Sequence, residues 1–239
     1  MILPRPQDAI HKTHLYRLLM EIIDSRHLAR FLYFKGGTCA ALAGWLDRFS
    51  LDLDFDVAPR VKAAIIKEEL TALAGRLGFT VKQQKDLFFV FGYTSRPRER
   101  NSIKISVFTE RVRANQYAPV YLTDIRRYAM CQTRDTMVAN KLIAPLDRYD
   151  RYGTIAGRDI YDIHYFLSHG YPYRPEVIVE RRRVKVQEYI AQLVDFIDHK
   201  VTQRLIAEDL NYLLPLKKFQ AIRKTLKEET ILLLRDSQK

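Results

Sequence analysis

Residues 51–57 read Leu-Asp-Leu-Asp-Phe-Asp-Val, a strict alternation of apolar and acidic side chains. Such alternation predicts a β-strand that buries one face and leaves the other in a polar environment. Asp52 and Asp54 then project to the same side of the strand, and the apolar residues face the core. Two neighbouring carboxylates repel each other unless a cation lies between them. Taken alone, the segment predicts either a solvated strand face or a metal site on a sheet.

A second motif lies just upstream of this strand. The apolar segment 31–34 runs into Lys35-Gly36-Gly37-Thr38, which predicts a short strand that ends in a glycine turn. Thr38 is expected to cap the short helix that follows. Glycines let the backbone approach a triphosphate closely, and a helix N-terminus presents amide donors to it. Together the two motifs favour a nucleoside triphosphate (NTP) and Mg²⁺ or Mn²⁺ as ligands.

The character of the sequence changes near residue 130. The earlier part alternates between predicted helices and strands, which is an α+β pattern. The later part has helical periodicity, and Pro145 and Pro215 are expected to kink or divide two of its helices. We therefore expect an α/β domain over residues 1–130 and a helical domain over residues 131–239.

The composition favours an anionic partner. The net charge is +12 with a pI near 9.7, and the basic excess is spread along the chain. The run Arg181-Arg182-Arg183 predicts either an RNA contact or a solvated helix face. No apolar run approaches the roughly 20 residues of a membrane span, and the two cysteines form no metal-binding motif. These features favour a cytoplasmic protein with no membrane association.

The motifs resemble those of the AbiEii/AbiGii toxin family in the DNA polymerase β-like nucleotidyltransferase superfamily. The likeness rests first on KGGT, a short apolar helix, and RFSLDLDF. Residues 135–142, DTMVANKL, match the helix that carries the family's motif lysine, and residues 158–163, RDIYDI, match its RDxxD motif. The resemblance implies a mixed sheet flanked by helices, followed by a helical domain that completes the active-site cleft.

The resemblance also implies roles for individual residues. Asp52 and Asp54 would hold the metal, and Lys141 would offer a cation to the triphosphate. An aspartate of the RDxxD motif would be a general base or the electrostatic partner of that lysine; Asp162 is favoured and Asp159 stays open. The expected nucleotide-binding residues are Lys35, Gly36, Gly37, Thr38, Arg48, Ser50 and Arg158.

One position departs from the superfamily pattern. Many of its members carry a third carboxylate on a later strand, but the best candidate strand here has Ser106 on the relevant face. Asp56 shares the face of Asp52 and Asp54, either as a further ligand or as a solvent-facing residue. The number of metals and the general base stay open, and a degenerate enzyme becomes an alternative.

The implied function is that of a bacterial toxin from a toxin–antitoxin or phage-defence system. It would transfer a nucleoside monophosphate from an NTP to an acceptor and release pyrophosphate. The family and the basic surface favour RNA as acceptor, in particular the 3′ end of tRNA. One alternative acceptor is a protein such as the cognate antitoxin, a partner expected from the resemblance alone. The other alternative is a degenerate module that binds nucleotide or RNA without transfer.

Overall fold

The computed structural model describes residues 1–237 of the chain. The chain divides into two compact units. The first contains Met1–Arg111 and Tyr117–Gln132; the second contains Val112–Gln116 and the chain from Thr133 onward. Over residues 1–237, no helix combines the length and the apolar character that a membrane span requires.

The sheet of the first unit has seven strands over the described residues. They are β1 (Leu32–Lys35), β2 (Leu53–Val57), β3 (Thr80–Lys85), β4 (Phe88–Gly92), β5 (Ser102–Phe108), β6 (Tyr117–Leu122) and β7 (Arg127–Gln132). Their order is β3-β4-β5-β2-β1-β7-β6. β1 is parallel to β7 and β2 is parallel to β5, whereas the other neighbours are antiparallel. The sheet is therefore mixed.

Helices of the first unit cover the apolar face of this sheet. They are α1 (Asp8–Asp24), α2 (Leu28–Phe31), α3 (Gly36–Leu42) and α4 (Ala63–Arg76). The apolar face carries Phe34, Phe55, Phe89, Phe91 and Ile105, each at most 1% exposed. Because side chains alternate along a strand, the residues between these lie on the opposite face.

That opposite face is polar. The register places Lys35 opposite Asp54 and Asp54 opposite Ser106. Phe34 is opposite Cys131, so the neighbouring residues of β1 and β7 also share the polar side. We call this side the polar sheet face; its members include Tyr33, Lys35, Asp54, Asp56, Ser106, Tyr117, Tyr121, Tyr128 and Gln132.

Strands β6 and β7 were missed by the sequence prediction. β6 contains Pro119, which lowers the strand signal but is tolerated at the edge of a sheet. β7 mixes charged, aromatic and polar residues without a clean alternation. A 3₁₀ turn, Thr123–Ile125, joins the two strands, and Arg126 completes it with a left-handed φ of 53°. β7 of this hairpin pairs with β1, a strand distant in sequence, and the local pattern of side chains gives no sign of that pairing.

The second unit is helical over its described residues. Its helices are α5 (Arg134–Tyr152), α6 (Gly157–Ser168), α7 (Pro175–Arg182), α8 (Val186–Lys200), α9 (Gln203–Leu210), α10 (Leu216–Ile222) and α11 (Leu226–Asp236). The predicted α+β fold with a helical C-terminal region is confirmed. Pro215 separates α9 from α10 as predicted, but Pro145 does not divide α5. Arg183, with a φ of 58°, separates α7 from α8.

Candidate active site

Asp52 and Asp54 occupy different local structures. Asp54 lies within β2, whereas Asp52 immediately precedes it, so the predicted strand over 51–57 begins two residues late. Both side chains are half-buried. Leu53 and Phe55 are buried on the apolar side as expected, and Leu51 is half-buried. The alternation therefore correctly separates the acids from the core.

The segment before β2 is fixed through its backbone. Thr38 Oγ1 donates a hydrogen bond to the Asp52 carbonyl oxygen at 2.5 Å. His11 of α1 lies 3.0 Å through Nε2 from the Leu51 carbonyl oxygen, and its Nδ1 lies 2.7 Å from the Tyr93 hydroxyl. Since a carbonyl only accepts, Nε2 carries the proton and Nδ1 accepts from Tyr93. Two side chains thus hold the carbonyls on either side of the Asp52 nitrogen.

This arrangement corrects one expectation and adds a residue. Thr38 was predicted to cap α3, but the helix begins at Gly36, so Thr38 lies inside it. Its hydroxyl instead donates to the segment that immediately precedes β2. His11 was not predicted as a site residue. A single histidine on an amphipathic helix gives no sequence signal of a contact 40 residues away.

Burial of His11 gives a pH-dependent stability. Desolvation lowers the pKa of His11 to about 4 from the ordinary 6.5. The unfolded chain therefore binds this proton below pH 6.5, whereas the folded chain resists it until about pH 4. We expect about 3 kcal/mol of unfolding free energy to be lost as the pH falls through this window. The unfolding free energy, measured by denaturant titration at several pH values in this window, should fall less steeply with decreasing pH in His11→Gln than in the wild type. Equal pH dependence in the two proteins would contradict the assignment.

Gly36 is required by the position of the Asp54 carboxylate. Its φ is +78°, and a Cβ built on it would lie 2.5 Å from Asp54 Oδ2. A Cβ on Gly37 would lie 2.9 Å from both Arg48 Nη2 and Ser50 Oγ. The glycine pair therefore leaves room for an acid on one side and for two polar side chains on the other.

Arg48 and Ser50 are internal supports of this turn. Arg48 is 2% exposed and Ser50 8% exposed. Arg48 Nη1 donates to the Phe49 carbonyl oxygen at 3.0 Å. Their closeness to Gly37 gives each a packing role beside the expected nucleotide-binding role.

Asp56 is neither solvent-facing nor available as a simple metal ligand. It is 5% exposed. Lys35 Nζ lies 2.6 Å from Oδ1, and Tyr117 Oη and Gln132 Nε2 each donate to Oδ2 at 2.8 Å. Lys35 also lies over the Phe108 ring, 4.0 Å from its centroid. The ammonium expected to bind nucleotide is therefore engaged with Asp56, which ties β2 to β1, β6 and β7.

Asp52 and Asp54 fit a metal ion whose other ligands come from the substrate and from water. Ser106 lies opposite Asp54, where a third carboxylate would stand. Within the described residues, no group of three or more His, Cys, Asp or Glu side chains is arranged to hold an ion. Mg²⁺ is commonly held by one or two carboxylates, with phosphates and water supplying its other ligands. Asp52 and Asp54 beside the Gly36 backbone match that donor set.

Two ion pairs connect α5 with α6 in the second unit. Lys141 Nζ lies 2.6 Å from Asp162 Oδ2, and Arg148 Nε lies 2.8 Å from Asp159 Oδ2. The Asp162 side chain is 0% exposed and that of Lys141 14% exposed. The motif lysine is therefore paired with Asp162, whereas Asp159 pairs with a different cation. Arg158 is half-buried next to them on α6.

Two of the three arginines in the basic run Arg181-Arg182-Arg183 form ion pairs within the second unit. Arg181 pairs with Asp147, and Arg182 pairs with both Asp147 and Asp150. Arg182 also lies over the Tyr189 ring. The run fastens α7 to α5, so a solvated face was the wrong interpretation for these two arginines and their charge is already balanced.

A strand, a glycine turn, a short helix and an acid-bearing strand within a mixed sheet define a nucleotidyltransferase-type domain. The family model for the nucleotidyl transferase AbiEii toxin, type IV TA system, matches residues 17–235. The chain therefore belongs to the AbiEii family of nucleotidyltransferase toxins, and the resemblance drawn from its motifs is confirmed.

Solved structures show the same fold at low sequence identity. A candidate nucleotidyltransferase from H. pylori is 17% identical, with a TM-score of 0.55 over 98% of this chain and 97% of its own. JHP933 from Helicobacter pylori is also 17% identical, with a TM-score of 0.53 over 99% and 95%. MenT4, a nucleotidyltransferase toxin from Mycobacterium tuberculosis, is 18% identical, with a TM-score of 0.55 over 96% and 84%. No curated protein sequence matches significantly.

Proposed function

We propose that this protein is a metal-dependent nucleotidyltransferase toxin that transfers a nucleoside monophosphate from an NTP to RNA, with the 3′ end of tRNA as the favoured acceptor. The observation that carries the proposal is the approach of Asp54 to Gly36. The carboxylate fills the space of a side chain at that position. An acid so close to a backbone turn, with Asp52 beside it, suits a metal-bound triphosphate.

The proposed reaction is an in-line displacement at the α-phosphorus. Asp52 and Asp54 would hold Mg²⁺ or Mn²⁺, which would stabilise the charge that develops on the phosphates. The acceptor oxygen forms a bond to the α-phosphorus, the bond to the β-phosphate oxygen breaks, and pyrophosphate leaves. The glycine turn leaves backbone room for the phosphates. Since Ser106 replaces a third carboxylate, we assign the hydroxyl proton to water.

Lys141 is proposed as the cation that binds the triphosphate, with Asp162 as its electrostatic partner. A carboxylate whose side chain is 0% exposed has no surface on which to meet an acceptor hydroxyl. Its negative charge instead holds the Lys141 ammonium in place through the 2.6 Å ion pair. This favours the partner role over the general-base role for Asp162. Asp159, held by Arg148, is proposed as a structural acid.

The charge of the chain supports a polyanionic acceptor. A net charge of +12 predicts attraction to RNA phosphates that weakens steeply with salt. A protein acceptor would not need this excess. The type IV toxin–antitoxin family supports an antitoxin as partner.

The test is label transfer from each of four α-³²P NTPs, with Mg²⁺, to total bacterial tRNA and to protein. Label on RNA that is lost in Asp52→Ala and Asp54→Ala is the expected result. Label on protein alone would replace the RNA acceptor by the protein acceptor. NTP binding without any transfer would leave a degenerate binding module and overturn the enzyme.

Gly36→Ala offers a separate test of the site because Gly44→Ala is a matched control. Both glycines have a positive φ, +78° and +74°, but nothing lies within 4 Å of a Cβ on Gly44. Each alanine should cost about 1–2 kcal/mol of stability through backbone strain. Only Gly36→Ala should also displace Asp54 and lower transfer, by about tenfold or more. Equal transfer by the two variants would contradict the placement of Asp54.

A further inference from the structure

Two exposed tyrosines form a pair on the β6–β7 hairpin. Tyr121 is 45% exposed and Tyr128 69% exposed. They lie directly opposite each other in the register, and their ring centroids are 5.1 Å apart. We call them the tyrosine pair. Adjacent exposed aromatic rings commonly mark a binding surface.

The tyrosine pair belongs to the same sheet face as Asp54. The register runs straight from Tyr117 through Gln132 and Lys35 to Asp54. Tyr128 lies four residues along β7 from Gln132, on the same side of the sheet. With strand spacing near 4.8 Å and a rise near 3.3 Å per residue, Tyr128 lies about 16 Å from Asp54. A stacked single strand covers that distance with about five nucleotides.

Two further tyrosines lie on the sheet face between the tyrosine pair and the acids. Tyr33 and Tyr117 have ring centroids 4.6 Å apart, and the Tyr117 hydroxyl bonds to Asp56. Both are half-buried, so part of each ring stays accessible. A path of aromatic rings on one face thus leads from the exposed hairpin toward the proposed metal ligands.

The charges around the hairpin suit a polyanion. Arg126, in the turn of the hairpin, is exposed. Two acids of this region are already paired with donors or cations, Asp124 and Asp24. Asp124 accepts from the Tyr16 hydroxyl at 2.6 Å and lies 3.5 Å from Lys12 Nζ. Asp24 is paired with Arg127 at 2.9 Å. A phosphate near Arg126 would therefore meet little uncompensated negative charge.

The edge of the hairpin is less suited to pairing with another strand. β6 is an outer strand of the sheet and contains Pro119, which lacks an amide donor. A partner is therefore more readily bound on the polar sheet face than along the β6 edge. Bases stack on exposed aromatic rings with little dependence on sequence.

We propose that the tyrosine pair is a stacking platform for the single-stranded end of the acceptor RNA, placed so that its terminal hydroxyl reaches Asp52 and Asp54. The proposal rests on the proposed function for its acceptor. It adds a binding surface for RNA that is separate from the metal ligands and from the nucleotide-binding turn.

The test is the affinity of purified full-length variants for a short single-stranded RNA oligonucleotide, measured by fluorescence anisotropy at fixed ionic strength. Tyr128→Ser should weaken binding by about tenfold or more, and Tyr121→Ser should act in the same direction. Tyr128→Phe keeps the ring and should recover most of the affinity lost in the serine variant. Tyr152→Ser removes an equally exposed tyrosine, 70% exposed, from α5 and should leave RNA affinity unchanged.

Transfer assays separate this proposal from the proposed function. If the wild type labels RNA but Tyr128→Ser binds RNA as tightly as the wild type, the platform is overturned and the enzyme stands. If RNA binding depends on the ring but no NTP is transferred, the platform stands and the enzyme is overturned. Loss of self-association or protein binding with unchanged RNA affinity would show that the face serves a protein. NTP affinity and thermal midpoint should match the wild type in all tyrosine variants.

Discussion

Replacing Asp54 by asparagine is expected to lower nucleotide transfer by about 100- to 1,000-fold while the chain stays folded. The substitution keeps the shape of the side chain but removes the negative charge that would attract the metal cation. Metal-based charge stabilisation contributes several kcal/mol to such transition states, and each 1.36 kcal/mol is a factor of ten in rate. Initial rates at saturating NTP, together with Mn²⁺ affinity, provide the measurement.

Asp56→Asn is the matched comparison because Asp56 lies on the same strand and face. Its carboxylate is held by Lys35, Tyr117 and Gln132. Removing the charge leaves the half-buried Lys35 ammonium without its counter-ion, so we expect a loss of about 1–3 kcal/mol in unfolding free energy. Mn²⁺ affinity should fall in Asp54→Asn to a much greater extent. A wild-type transfer rate in Asp54→Asn would refute the assignment of the metal strand.

Replacing Lys141 by methionine is expected to lower the unfolding free energy by about 3–5 kcal/mol, since it leaves the charge of Asp162 buried without its lysine. Asp162→Leu should have a comparable effect from the other side. The double variant should regain much of the stability because two apolar side chains can replace a buried ion pair. Denaturant unfolding of the four proteins gives the coupling energy directly.

Transfer by the stable double variant then separates structure from catalysis. If Lys141 binds the triphosphate, stability returns but transfer does not. The Arg148–Asp159 pair on the same two helices supplies the control. Its double replacement should affect stability while leaving transfer near the wild-type rate. Wild-type transfer by the Lys141 and Asp162 double variant would show that the Lys141–Asp162 ion pair stabilises the fold but does not contribute to transfer.

The sequence predicts the features that depend on local periodicity. The alternation around Asp54 correctly assigns the acids and the core to opposite sides of β2. The glycine turn was also predicted, although its geometric reason is visible only in the structure, where a Cβ on Gly36 would lie 2.5 Å from Asp54 Oδ2. These features survive because each is encoded within a few neighbouring residues.

The features that were missed depend on residues far apart in sequence. His11 and Thr38 fix the backbone around Asp52 through contacts across 40 and 14 positions. Asp56 looked equivalent to Asp52 and Asp54 by spacing, yet its partners come from β1, β6 and β7. Side-chain periodicity gives the direction in which a residue points but not the donors that it meets there.

The adjacency of β1 and β7 has a consequence for the order in which the chain folds. Among the described residues β1 is the first strand along the chain and β7 is the last, yet the two pair side by side. Until β7 has been synthesised, the edge of β1 that will pair with it stays unpaired. Asp56 also lacks its hydrogen bond from Gln132 during that time. Pairings between such distant segments form slowly. The nascent chain would therefore complete its acid-bearing sheet only after β7 has been synthesised, which would delay the proposed nucleotide transfer until the sheet is whole.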